Sequence, residues 1–229
     1  RLMDWAAKKY QKALQNLTAD HWTKKMIAER QINEETLLIF GIGYAPDEWK
    51  FLTNTIIETG RFEAGKTSGL VNVKDSNAFD FFKNRLIFPI EDVNGNVIGF
   101  GGRCADDDPA KEGGRKYINS KESIIYSKSR SLYGIYQAKK SISTTKTAVL
   151  CEGYTDVTAL HQYGCDMAVA SGGTALTDEQ CKLLGRFASH VIICRDNDGF
   201  DAQGNPKAGT KAALEDINKL LANGFKVSV

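Results

Sequence analysis

Three observations predict an α/β chain with two regions: a parallel sheet flanked by helices, preceded by a mixed α+β region. Over residues 147–229, short apolar runs alternate with helix-patterned segments. Nearer the amino terminus, the apolar runs Leu86–Val93 and Val97–Phe100 flank the turn-forming Asn94-Gly95-Asn96 and read as a hairpin. Residues 2–36, by contrast, carry helical patterning with no strand between. Ser141, Ser143, Thr144 and Thr145 interrupt the apolar pattern, so the regions are taken as residues 1–143 and 144–229.

In the carboxy-terminal region, Ala148–Cys151 is the first strand, and the helix from Asp156 to Tyr163 stops at Gly164. Met167–Ala170 is the second strand, and Thr177-Asp178-Glu179 opens a helix reaching Phe187. Val191–Cys194 is the third strand. A helix over Ala208–Ala222 ends at Asn223-Gly224, and a fourth strand begins at Phe225. This β-α-β-α-β-α-β order is Rossmann-like, with helices expected on both faces. In the amino-terminal region, Asn33-Glu34-Glu35 marks a helix start, and the polar residues 104–116 read as a loop.

The chain has 229 residues, 42% hydrophobic and 25% charged, which is ordinary globular composition. No apolar run reaches the ~18 residues a membrane span needs, so no membrane association is expected. The start lacks a signal peptide's apolar stretch and an initiator Met, and the end stops inside a strand-like run, as expected of a piece of a longer protein. Five cysteines (Cys104, Cys151, Cys165, Cys181, Cys194) form no C-x-x-C pair, so zinc is not expected, and a reducing cytoplasm suits them. Net charge is only +2, but residues 111–140 hold eight basic and two acidic residues, whereas residues 141–229 hold eight basic and ten acidic. A basic segment beside an acidic one suits a phosphate-rich ligand near a cation, although from charge alone a solvated lysine face is the favoured reading.

Ligands of open parallel sheets gather beyond the carboxyl ends of the strands. Glu152 follows the first strand there, and Asp196 and Asp198 follow the third. The D-x-D spacing lets both carboxylates project to one side of an extended segment. Clustered carboxylates repel unless a cation neutralises them, and hard oxygen ligands favour Mg²⁺ or Mn²⁺. Phosphoryl transfer needs such a site. A lone D-x-D is more often a polar loop; an acid at a neighbouring strand end strengthens it.

Glu152-Gly-Tyr-Thr-Asp156, Ala170-Ser-Gly-Gly-Thr174 and Asp196-Asn-Asp198 resemble the TOPRIM signature of primases, topoisomerases, some nucleases and recombination mediators. Arg85-Leu-Ile-Phe-Pro-Ile90, Gly95-Asn-Val-Ile-Gly-Phe-Gly-Gly-Arg103, Lys116-Tyr-Ile-Asn-Ser120 and Leu132-Tyr-Gly134 resemble consecutive blocks of the DnaG-type primase core, as does Gly41-Ile-Gly-Tyr-Ala-Pro46 with Trp49. The resemblance implies a TOPRIM-type sheet and synthesis of short RNA primers from ribonucleoside triphosphates on single-stranded DNA. It implies metal-binding roles for Glu152, Asp196, Asp198 and the further acid Asp156, with Glu152, Asp196 and Asp198 also catalytic. It implies nucleotide or template binding by Arg103, Lys116, Tyr117, Asn119 and Lys128, and by Arg30, whose neighbour Gln31 stands where the family usually has Gly. Mg²⁺ or Mn²⁺ is the expected cofactor. A monomer in the cytoplasm is expected, meeting a replicative helicase through a carboxy-terminal domain absent here.

The chain departs from the family at Gly199–Lys207, an insertion read as a hairpin or flap in which Asp201 serves turn chemistry. The family's later Asp-Pro-Asp carboxylates would follow Val229. Two other readings of the TOPRIM signature are a nuclease or topoisomerase fragment and a non-catalytic DNA-binding module. Of the remaining candidates, Gly172-Gly173 serves either phosphate or tight packing, and His161 and His190 read as structural.

Overall fold

A computed structural model of the chain describes residues 1–105, 115–173, 175–196, 198–201 and 203–229. Of the loop expected over 104–116, residues 106–114 lie outside the described ones, as do Thr174, Asn197 and Ala202 of the motifs above. The chain forms two compact units, residues 1–91 with 95–127, and residues 92–94 with 128–229.

The first unit opens with helices α1 (Leu2–Gln15), α2 (Trp22–Glu29) and α3 (Glu34–Ile39). Asn33 caps α3 as its sequence predicts, its Oδ1 accepting the Thr36 N–H at 2.8 Å. Strand β1 (Gly43–Ala45), helices α4 (Thr53–Glu58) and α5 (Phe62–Thr67), and the hairpin β2 (Val71–Lys74) and β3 (Asn77–Asp80) follow. The expected hairpin is β4 (Arg85–Glu91) and β5 (Val97–Arg103), and β6 (Tyr117–Asn119) completes an antiparallel sheet of order β1-β4-β5-β6. Met3, Ala6, Ala7 and Tyr10, at helical spacing on α1, pack with Ile87 and Phe100 of the sheet and with Leu52, Ile56 and Phe82.

The second unit begins with a 3₁₀ turn (Lys128–Arg130) and α6 (Ile135–Thr145). It continues through β7 (Thr147–Cys151), α7 (Tyr154–Gln162), β8 (Ala168–Ala170), α8 (Asp178–Leu184), β9 (His190–Cys194), α9 (Ala208–Ala222) and β10 (Lys226–Ser228). All three strand pairings are parallel, in the order β10-β9-β7-β8. The Rossmann-like α/β class read from the alternation is the one observed. Gly224, at φ +81°, ends α9 where Asn223-Gly224 predicts.

The two compact units divide at 127/128, ahead of α6, and the division at 143/144 expected from the serine and threonine content lies inside that helix. Ile135, Ala138 and Ile142 of α6 are buried in one core with Leu150, Val169, Ile193 and Leu220. Thr144 and Thr145 do not break this helix, because each hydroxyl donates to the carbonyl four residues earlier, at 3.0 and 2.9 Å.

Candidate functional site

Strand β8 lies on one side of β7, and β9 and β10 on the other, so the chain reverses its direction of travel across the sheet between β7 and β9. Such a switch point opens a crevice beyond the carboxyl ends of its two strands. Cys151 and Cys194 are register partners there. Glu152 and Arg195-Asp196 therefore leave the sheet side by side, and Glu152, Asp156, Asp196 and Asp198 are all exposed.

Two of the four acids are turned to backbone amides. Asp156 accepts the Gly153 N–H at 2.9 Å across the start of α7, and Asp198 Oδ2 accepts the Gly209 N–H at 2.9 Å at the start of α9. Among the described residues no three His, Cys, Asp or Glu side chains are gathered closely enough to hold a metal ion. The acids share the rim at the carboxyl ends of β7 and β9. The donor set fits a hard cation: it offers carboxylate oxygens alone, and burial pushes the neighbouring Cys151 thiol well above its ordinary range, away from the thiolate that zinc prefers.

Gly209 is a site residue that sequence reading missed. A side chain there would place Cβ 2.5 Å from the Asp196 carbonyl oxygen and 2.9 Å from Asp198 Oδ2. Only glycine lets the first turn of α9 come so close to the acid loop. The available signal was a glycine in the first turn of a predicted helix downstream of D-x-D.

In the first unit, Arg103 closes β5 opposite Leu86 on one side and Tyr117 on the other, and Asn119 pairs with Gly101. The Arg103 guanidinium contacts the Met26 sulfur on α2, and its Nε is buried without a hydrogen-bond partner among the described residues. Arg30, exposed at the end of α2, is one turn beyond Met26 and on the same helix face. Lys116 is exposed beside Tyr117. Arg103, Tyr117 and Lys116 thus lie together at one end of the antiparallel sheet. Arg85, unremarked in the sequence beyond its place in a block, is buried, and its Nη1 donates to the carbonyls of Gly102, Arg115 and Lys116 at 3.3, 3.1 and 3.4 Å. It ties together the ends of the three strands that present the cluster. Lys128 does not extend this group within the first unit; it starts the 3₁₀ turn of the second.

Asp201 is committed to its turn. Its Oδ1 accepts the N–H groups of Gln203 and Asn205 at 2.9 and 2.8 Å, and its backbone N–H donates to the Asn205 carbonyl at 2.8 Å. These bonds hold its carboxyl below the usual carboxylate range. His161 is likewise structural: its Nε2 bonds the Ala168 carbonyl at 3.0 Å, and burial lowers its pKa. A cavity of about 300 Å³ lined by Gln11, Leu14, Lys24, Glu34 and Leu38 lies among α1, α2 and α3 and includes none of the candidate site residues.

A parallel sheet with acids at its switch point defines a class, and residues 146–229 match the family model of the Toprim domain. Residues 9–139 match the model described as DNA primase catalytic core, N-terminal domain. The chain therefore belongs to the family of DnaG-type primase catalytic cores. It is 40% identical over 215 residues to the DNA primase of Clostridium acetobutylicum, covering 93% of this chain and 34% of that protein. Identity to the DNA primase of Escherichia coli is 38% over 209 residues, covering 88% and 34%. The chain spans about a third of the length of these curated relatives. Among solved structures, the zinc-binding and RNA polymerase domains of the Aquifex aeolicus primase superpose with TM-score 0.85 at 33% identity, covering 99% of this chain and 52% of that one. A DnaG primase catalytic domain bound to single-stranded DNA superposes with TM-score 0.81 at 33% identity, covering 99% and 68%.

Proposed function

We propose that the chain is the catalytic portion of a primase that builds short RNA primers from ribonucleoside triphosphates on a single-stranded DNA template. The observation that carries this reading is the departure of Glu152 and Asp196 from adjacent strand ends at the β7–β9 switch point. The likeness to a primase catalytic domain bound to single-stranded DNA supports the choice of template. Glu152, Asp196 and Asp198 would hold Mg²⁺ or Mn²⁺, whose chemistry when bound is to neutralise the triphosphate and acidify the primer 3′-hydroxyl. Asp156, whose carboxylate accepts the Gly153 N–H at the entry of α7, would be a further ligand beside them. Glu152 takes up the hydroxyl proton as the 3′-oxygen bonds to the α-phosphorus and pyrophosphate leaves. Arg103, Lys116, Tyr117, Asn119 and Arg30 in the first unit, and Lys128 in the second, orient triphosphate and template through their phosphates, so binding weakens with salt.

Incubating the chain with ribonucleotides, a single-stranded template and Mg²⁺ or Mn²⁺ tests the proposal. Short template-dependent RNA is expected, and it should vanish in Asp196→Asn. Nicked DNA would replace the reading by a nuclease, and bound but unaltered DNA by a binding module.

A further inference from the structure

The second unit buries a polar network that the chemistry above does not use. Arg195 and Asp216 form an ion pair in which both side chains are almost wholly buried, at 5% and 1% exposure. Arg195 Nε and Nη2 each reach Asp216 Oδ2 at 2.6 Å, and Nη2 also lies 3.4 Å from the Ser171 hydroxyl. Asp216 Oδ1 accepts the Leu176 N–H at 3.1 Å. The pair thus joins the residue before Asp196, the middle of α9, the end of β8 and the segment entering α8. Ser171 continues the chain of contacts. Its carbonyl accepts from the fully buried Gln180 at 3.3 Å, and the same Gln180 amide donates to the carbonyls of Lys128 at 3.1 Å and Ser131 at 2.8 Å.

A buried ion pair is weak evidence of a stabilising role, since apolar residues of similar volume usually serve stability as well. Its directional bonds do what apolar packing does not: they fix one orientation of the groups they join. Here those groups are the backbone bearing Asp196 and, through Ser171 and Gln180, the turn bearing Lys128. We propose that the Arg195–Asp216 pair is a positioning device that locks the acid loop after β9 to the end of β8 and so sets Asp196 for metal. The proposal rests on the metal role assigned to Asp196.

The test uses the whole chain with both charges removed together, Arg195→Met with Asp216→Leu, so that neither is left buried alone. Circular dichroism should show a folded protein. Free-Mn²⁺ electron paramagnetic resonance should show the binding midpoint raised about tenfold, the scale of a lost outer-shell partner. Hydrogen exchange should quicken at Leu176 and over residues 194–196. Asp216→Asn, which keeps the shape and the acceptor for Leu176, decides the matter should the double variant not fold; its midpoint should rise several-fold. A folded variant with the parent's Mn²⁺ midpoint and unchanged exchange would overturn the proposal. If the parent chain bound no Mn²⁺, the metal reading would fail, and exchange at the same residues would still decide whether the pair locks the loop.

Discussion

Gly209 and the acids it approaches set the finest scale at which the site is built. Gly209→Ala forces a methyl against the Asp196 carbonyl, which must shift with the loop that carries it. The cost should be about 1–3 kcal/mol of stability, read as a lower denaturation midpoint, with weaker Mn²⁺ binding. Asp196→Asn, on an exposed rim, should leave the melting temperature nearly unchanged while abolishing primer synthesis. Gln31 offers an independent check on backbone reasoning. It sits at φ +54° just past the end of α2, with its N–H on the Ala28 carbonyl and the Ile32 N–H on the Ile27 carbonyl, the closing pattern in which glycine is usual. Gln31→Gly should therefore stabilise the chain by up to about 1 kcal/mol in chemical denaturation. The acids were legible in the sequence because strand ends announce themselves by an apolar run and a polar break. The Arg195–Asp216 pair was not, because nothing local marks two charges 21 residues apart as partners.

Among the elements, the insertion and α7 make the clearest predictions. Lys207 N–H donates to the Gly199 carbonyl at 3.0 Å, and Phe200 and Pro206 form an isolated bridge, so the two ends of the insertion are already close. Replacing residues 200–206 with a two-residue link should keep the fold and the Mn²⁺ midpoint, since loop closure changes by less than about 1 kcal/mol. His161 ties α7 to β8 while half-buried, and its folded pKa lies below the unfolded value of 6.5. A depressed histidine contributes stability above the unfolded pKa and loses it as pH falls toward the folded one. Stability should thus decline as pH drops below about 6.5, and His161→Gln should flatten that stretch of the pH profile. The long elements of the second unit were readable because their apolar periods are regular. The β2–β3 hairpin was not: its turn uses Asp75 and Ser76 at φ +48° and +62°, without the glycine that advertises such turns. Helix α6 was hidden by threonines whose hydroxyls bond back into the helix.

For the molecule as a whole, charge is arranged more tellingly than its total. A net +2 spreads over a first unit with a basic cluster at one sheet end and a second unit with acids at a strand rim. Lys116→Ala and Lys128→Ala should each weaken binding of single-stranded DNA or nucleotide, with a loss that shrinks as salt rises. Equal loss at low and high salt would point to packing in place of phosphate contact. The organisation into an α+β region and a parallel α/β region was legible from the change in apolar pattern; that α6 packs into the core of the second region was not. The β7–β9 switch point is proposed as a metal-dependent catalytic centre. Its most direct test is Mn²⁺ paramagnetic broadening of the backbone amides. Broadening should be confined to the neighbourhoods of Glu152, Asp196 and Asp198 and absent from Asp196→Asn; broadening centred elsewhere, or unchanged in that variant, would place the metal outside the switch point.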